Sequence, residues 1–147
     1  MAAIAVLLAA TLQSEHLFGI IGIRPNLTLV TLIVLSFFIE DLALYCLLIL
    51  LGCIGIHFTP GISRETVALA LVALAGFLVK ERAVWPGVSG TAILIFFGTV
   101  GIYGAVAPAF LYQHPLSVLF EAVYNIVLGL VLYELTSMYV KKTRLTI

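Results

Sequence analysis

Few polar residues in this chain could do chemistry, and the most informative are Glu121 and Asn125. They lie four residues apart in an apolar segment, so a helix would place them on one face and one turn apart. A carboxylate in such a segment is costly unless it is protonated, paired or directed at a polar cavity. Two interpretations follow: the pair contacts a neighbouring segment or a partner, or Glu121 reaches the polar boundary near Pro115.

No catalytic motif accompanies this pair. The sequence has no glycine-rich phosphate loop, no HExxH, no GxSxG and no paired metal-ligand spacing. The three histidines, His16, His57 and His114, stand apart from one another along the chain. We therefore predict a protein that is not an enzyme, with no catalytic residue, no cofactor and no metal site.

The composition excludes most soluble proteins. Of the 147 residues, 63% are hydrophobic and only 10% are charged, and the mean hydropathy is +1.26. An ordinary soluble domain carries about a quarter charged residues. Lipid must therefore cover most of the surface, which predicts an all-α polytopic integral membrane protein in one domain, residues 1–147. The net charge of +0 gives no general attraction to nucleic acid.

Short polar breaks divide the chain into the apolar segments that must position these residues. Proline and the residue before it disfavour helix continuation, so the proline-containing breaks are the clearest. We predict an unbroken span from Ser89 to Tyr112 and a last span from Leu116 to Val140. The breaks are at 13–16, at Arg24, Pro25 and Asn26, and at 40–41, 59–61, 80–87 and 113–115.

The stretch from Leu27 to Phe58 decides the number of spans. As one helix its 32 residues would be roughly 48 Å long, well over the hydrocarbon thickness of about 30 Å. It would also place the adjacent charges of Glu40 and Asp41 near the bilayer centre. We favour two helices, which gives a compact bundle of about six transmembrane helices, and a five-span bundle is the alternative.

The basic residues orient the chain but do not choose between these counts. In the six-span topology five of the seven Lys and Arg residues are cytoplasmic, and in the five-span topology six are. Both topologies place the C-terminal tail, with Lys141, Lys142 and Arg144, in the cytoplasm.

Two segments carry a resemblance to a known family. The first, LLAATLQSEHLFGIIGIRPNLTLV, has a span ending in Leu-Gln-Ser, a short apolar loop, and Gly-x-x-Pro-Asn-Leu opening the next span. The second, PLSVLFEAVYNIVLGLVLYELTSMYVKK, has Glu121, Tyr124 and Asn125 in one span before a basic tail. Together they resemble the rod shape-determining protein MreD family. The sequence departs from the family pattern after the second span, because Gly52 and Gly55 lie further along the chain than the glycines of that pattern.

The resemblance implies a non-enzymatic component of the bacterial cell-elongation machinery, located in the inner (plasma) membrane. Such proteins bind MreC and through it link MreB filaments to a RodA-type synthase and a transpeptidase in lateral peptidoglycan synthesis. On this reading the partners are membrane lipid and other membrane proteins. The candidate partner or bundle contacts are Arg24, Pro25, Asn26, Glu121, Tyr124 and Asn125.

An alternative function comes from a different class of protein. Six-helix architectures of this kind are similar to the substrate-binding S components of energy-coupling-factor vitamin transporters. Ala5 and Ala9 form an AxxxA pattern that resembles the contact of those subunits with their coupling protein. Substrate capture would require a concave site with several converging polar groups, and the sequence alone offers few.

Overall fold

The computed structural model describes residues 1–14, 24–56, 63–82 and 87–144, and these residues form helices with no strand among them. The prediction of an all-α fold is confirmed, and neighbouring helices pack against one another in a bundle. His16 and His57 lie outside the described residues. The helices are α1 (Ala2–Ser14), α2 (Leu27–Ser36), α3 (Leu42–Ile56), α4 (Arg64–Arg82), α5 (Gly87–Val106), α6 (Pro108–Gln113) and α7 (Pro115–Arg144).

The short helix α2 is the centre of the bundle. Its sequence, LTLVTLIVLS, is apolar on every side apart from small hydroxyl residues, and such a helix has no face suited to water. Every residue from Thr28 to Ser36 is buried. The helices α1, α3, α4, α5 and α7 all pack against it. These five helices therefore enclose α2, and α6 packs against α5 and α7 instead.

The stretch from Leu27 to Ile56 forms two helices, as we favoured, and the single-helix interpretation is wrong. Helix α2 ends at Ser36 and α3 begins at Leu42. Glu40 and Asp41 lie exposed between them. The Asp41 carboxylate accepts a hydrogen bond from the backbone N–H of Ala43 at 2.8 Å, which satisfies a donor in the first turn of α3.

The predicted unbroken span from Ser89 to Tyr112 is also wrong. Helix α5 ends at Val106, and a separate six-residue helix, α6, begins at Pro108. Pro108 has no N–H to donate, and Ala107 before it takes a non-helical backbone conformation, with φ −140° and ψ 63°. The next break is at His114, within the predicted break at 113–115, and α7 (Pro115–Arg144) extends beyond both ends of the predicted span from Leu116 to Val140.

Aromatic and basic side chains close the end of the bundle where α2 ends. The Tyr45 ring stacks on Phe77 at 4.6 Å between ring centroids, and its hydroxyl lies 3.1 Å from the Leu32 carbonyl oxygen. The Lys80 ammonium donates to the carbonyl oxygens of Ser36 at 2.7 Å and Ile39 at 3.2 Å. A cation at this position stabilises the negative end of the α2 dipole.

Among the described residues, two helices are long and apolar enough to cross a membrane by length and composition, namely α5 and the Pro115–Lys141 part of α7. The apolar helices α1, α2 and α3 are shorter. The ten residues of α2 extend about 15 Å, half the hydrocarbon thickness of about 30 Å. The six-span count therefore stays a prediction.

Close packing of α1 on α3 gives the first testable prediction. A methyl group added at Gly55 would lie 2.8 Å from the Cβ of Ala10, which cannot move without its backbone. We expect Gly55→Ala to push the two helices apart and to lower the free energy of unfolding by about 1–3 kcal/mol. Thermal unfolding in mild detergent measures the change.

Gly76→Ala in α4 is the matched control, because nothing lies within 4 Å of its added methyl group. Alanine is the better helix former, so this variant should unfold at the parent temperature or above it. Equal destabilisation by both substitutions would contradict the close contact.

Candidate functional site

Asn125 joins three parts of the bundle through one amide. Its side chain is 0% exposed. The oxygen Oδ1 accepts a hydrogen bond from the backbone N–H of Asn26 at 3.0 Å, and Nδ2 donates to the Thr99 hydroxyl at 3.0 Å. Asn125 therefore ties α7 both to the segment that opens α2 and to α5, and both ends of the amide have partners.

The same group of residues satisfies the buried N-terminus of α2. The first N–H groups of a helix have no partner within the helix and need acceptors from elsewhere. The Asn26 side chain accepts from the N–H of Leu29 at 3.0 Å, and Gln13 of α1 accepts from the N–H of Thr28 at 2.9 Å. With Asn125, three side chains from three separate segments supply acceptors there.

Glu121 makes a second contact between α5 and α7, one turn from Asn125. The Tyr103 hydroxyl donates to Glu121 Oε2 at 2.5 Å. Tyr103 and Thr99 are four residues apart on α5, which matches the spacing of Glu121 and Asn125 on α7. The two antiparallel helices are thus joined by two polar rungs, Thr99 with Asn125 and Tyr103 with Glu121.

A cavity of about 240 Å³ lies beside these rungs. The C-terminal ends of α1, α3 and α5 meet the N-terminal ends of α2, α4 and α7 around it. We call it the end cavity. Its polar lining residues are Gln13, Asn26, Glu65, Thr66, Tyr103 and Glu121, and its apolar ones are Ile56, Leu69, Ile102, Val106 and Ala107.

The structure gathers half of the residues singled out from the sequence. Asn26, Glu121 and Asn125 lie within the end cavity or the network beside it. Arg24 is exposed and Pro25 is buried, both just before α2. The half-buried Tyr124 and these two residues are not among those lining the cavity.

Sequence analysis missed Gln13, Glu65, Thr99 and Tyr103. A signal for two of them exists, because Thr99 and Tyr103 repeat on α5 the four-residue spacing of Glu121 and Asn125 on α7. Gln13 lies in the predicted break at 13–16 between apolar segments. Within the described parts of the chain, no three His, Cys, Asp or Glu side chains come together in a way that could hold a metal ion.

No family model, curated protein or solved structure matches the chain. The fold and site define a helical bundle with an internal polar network and a cavity at one end. Function must therefore be argued from the chemistry of the site and the surface.

Replacing either of two buried threonines by valine should change the free energy of unfolding, in opposite directions. The Thr99 hydroxyl accepts from Asn125 and donates to the Ile95 carbonyl oxygen at 2.9 Å. The Thr28 hydroxyl is buried without a hydrogen-bond partner among the described residues. We expect Thr99→Val to lower the free energy of unfolding by about 1–3 kcal/mol, because it removes the acceptor of a buried amide.

Thr28→Val has the same change of shape and should leave stability unchanged or raise it, because it removes an unsatisfied polar atom. Thermal unfolding of both variants in the same detergent is the measurement. Loss of stability in Thr28→Val as large as that in Thr99→Val would argue against the network.

Proposed function

We propose that the chain is a multi-pass protein of the bacterial inner membrane that catalyses no reaction and acts through lateral contacts between helices. The resemblance to the MreD family suggests its setting, the cell-elongation machinery with an MreC-like protein and a RodA-type synthase. One observation carries the proposal. The polar side chains of the network form hydrogen bonds within the chain, whereas large apolar side chains face outward.

The outward surface supports a location in lipid. Soluble monomers rarely expose contiguous apolar patches above a few hundred Å². Here large apolar side chains on several helices are more than a third exposed, and these include Ile4, Leu8, Leu47, Leu50, Ile54, Leu71, Phe97, Phe120, Val127 and Leu135. Lipid or the apolar helix of a partner would cover such a surface without cost.

Helix α7 offers the most continuous outward face. Phe120, Val123, Val127 and Val131 are all at least half exposed and recur at intervals of three and four residues. We call these four residues the outer stripe. Glu121 and Asn125 bond on the opposite side, to α5 and to the start of α2, so the outer stripe and not the polar pair is the proposed partner contact.

Co-purification tests the proposal. We expect the tagged protein, extracted in mild detergent from its own bacterium, to recover an MreC-like protein or a RodA-type synthase. The double variant Val123→Trp, Val127→Trp should lower that recovery roughly tenfold, as expected when about 1.4 kcal/mol of a central contact is lost. The unfolding temperature of the variant should stay near that of the parent, because both side chains face outward.

Leu47→Trp is the matched control, since Leu47 is 52% exposed on α3, away from the outer stripe. It should recover partners like the parent. Recovery of an ATP-binding-cassette pair with a coupling subunit, in place of shape-determining partners, would overturn the proposal.

The orientation of the chain is a separate prediction. Phe38 at the end of α2 contacts Tyr133 of α7 at 5.2 Å between ring centroids, and Lys80 bonds to the same end of α2. Lys80 and the basic tail of α7 therefore share one end of the bundle, which the positive-inside rule places in the cytoplasm. A C-terminal green fluorescent protein fusion should fluoresce, and a C-terminal alkaline phosphatase fusion should be inactive. The reverse result would overturn this orientation.

The end cavity favours one second candidate, a substrate-binding subunit of an energy-coupling-factor type transporter. In the proposed orientation the cavity lies at the end opposite the basic tail, where it would face outward from the cell. Six polar side chains converge on it, which is the arrangement that a small-molecule site requires.

A further inference from the structure

We propose that the end cavity binds a small organic cation that carries an ammonium group and a hydrogen-bond acceptor such as a hydroxyl. The proposal is separate from the scaffold function: partner recovery and ligand binding are measured independently, and either can fail without the other.

The side chains that line the cavity are held in place by the fold. Ends of six helices surround it, and two of its lining residues, Asn26 and Gln13, are held by hydrogen bonds to the first turn of α2. A third, Glu121, is held by Tyr103. Because these side chains are fixed by bonds that the fold itself requires, the cavity is formed before any ligand arrives. Its volume of about 240 Å³ lies just below the range of about 300–1,000 Å³ typical of ligand pockets, which suits a small molecule.

The charge of the lining selects a cation. Glu65 and Glu121 contribute carboxylates from α4 and α7, and the described lining includes no Lys, Arg or His. The Tyr103 hydroxyl donates to Glu121 Oε2, and Asn125 is a second side-chain hydrogen-bond partner of this carboxyl group. An ammonium group on a ligand would supply the positive charge that the described lining lacks, and it would donate to carboxylate oxygens.

The amides of the lining select the second group on the ligand. The side-chain oxygens of Gln13 and Asn26 already accept from backbone N–H groups. These bonds assign oxygen and nitrogen in both amides, so the NH₂ groups are the donors that the two side chains retain. A hydroxyl or carbonyl oxygen on the ligand is their natural partner. The apolar lining, with Ile56, Leu69 and Ile102, suits a short carbon chain between the two polar ends.

A series of four-carbon compounds tests this inference on the full-length protein in lipid nanodiscs. Butane-1,4-diol, 4-aminobutan-1-ol and putrescine have nearly the same shape and carry zero, one and two ammonium groups. Isothermal titration calorimetry at constant ionic strength should show saturable binding of 4-aminobutan-1-ol, and at least tenfold weaker binding of the diol. Equal affinity for the diol, or no saturable binding of either amine, would overturn the proposal.

Variants assign the binding to the cavity. Glu121→Gln and Glu65→Gln should each weaken 4-aminobutan-1-ol binding at least tenfold. Glu134→Gln changes an exposed carboxylate more than three turns further along α7, outside the cavity lining, and should bind like the parent. Glu65 is exposed at the start of α4, so its variant decides the question should Glu121→Gln fail to fold. Parent-like binding by Glu65→Gln would place the amine elsewhere and overturn the assignment.

Discussion

The buried N-terminus of α2 is the constraint on which the rest of the bundle depends. A short helix that is apolar on all sides must be enclosed, but enclosing it removes water from N–H groups that have no partner within the helix. An unsatisfied buried amide costs several kcal/mol in a medium without water. The side chains of Gln13, Asn26 and Asn125 remove that cost. Because they come from α1, from the turn before α2 and from α7, satisfying one helix end also fixes the arrangement of three segments.

This constraint explains why the two ends of the bundle differ. At the end where α2 begins, amide, hydroxyl and carboxylate groups are needed, and the end cavity lies among them. At the other end the last carbonyl groups of α2 need donors, which Lys80 provides, and aromatic rings fill the remaining space. The polarity of one short helix thus places Lys80 and the end cavity at opposite ends of the bundle.

The parts of the fold that could be predicted from sequence are those that depend on strong local signals. Glu40 beside Asp41 cannot lie in the middle of an apolar helix, and Pro115 ends one segment and begins another, so both breaks were recognised. Pro108 carries an equally strong signal, and it breaks the predicted span from Ser89 to Tyr112.

The partners of the network could not be predicted in the same way. Thr99 illustrates why: a threonine in an apolar helix can satisfy its hydroxyl on the carbonyl four residues before it, as Thr99 does on Ile95. Its presence therefore indicates nothing about a neighbouring helix. Asn125 is more informative because a buried amide has donors and acceptors that its own helix cannot satisfy. Yet the sequence does not specify that its partner is the N–H of Asn26, 99 residues away.

Helix α7 presents different residues to the interior of the bundle and to its outer surface. Its inward positions, Glu121 and Asn125, bond to α5 and to the start of α2, whereas Val123 and Val127 point away from the bundle. The helical period keeps these sets on opposite faces, so a change on one face need not disturb the other. A scaffold role through the outer stripe and ligand binding in the end cavity therefore place no conflicting demand on any single residue.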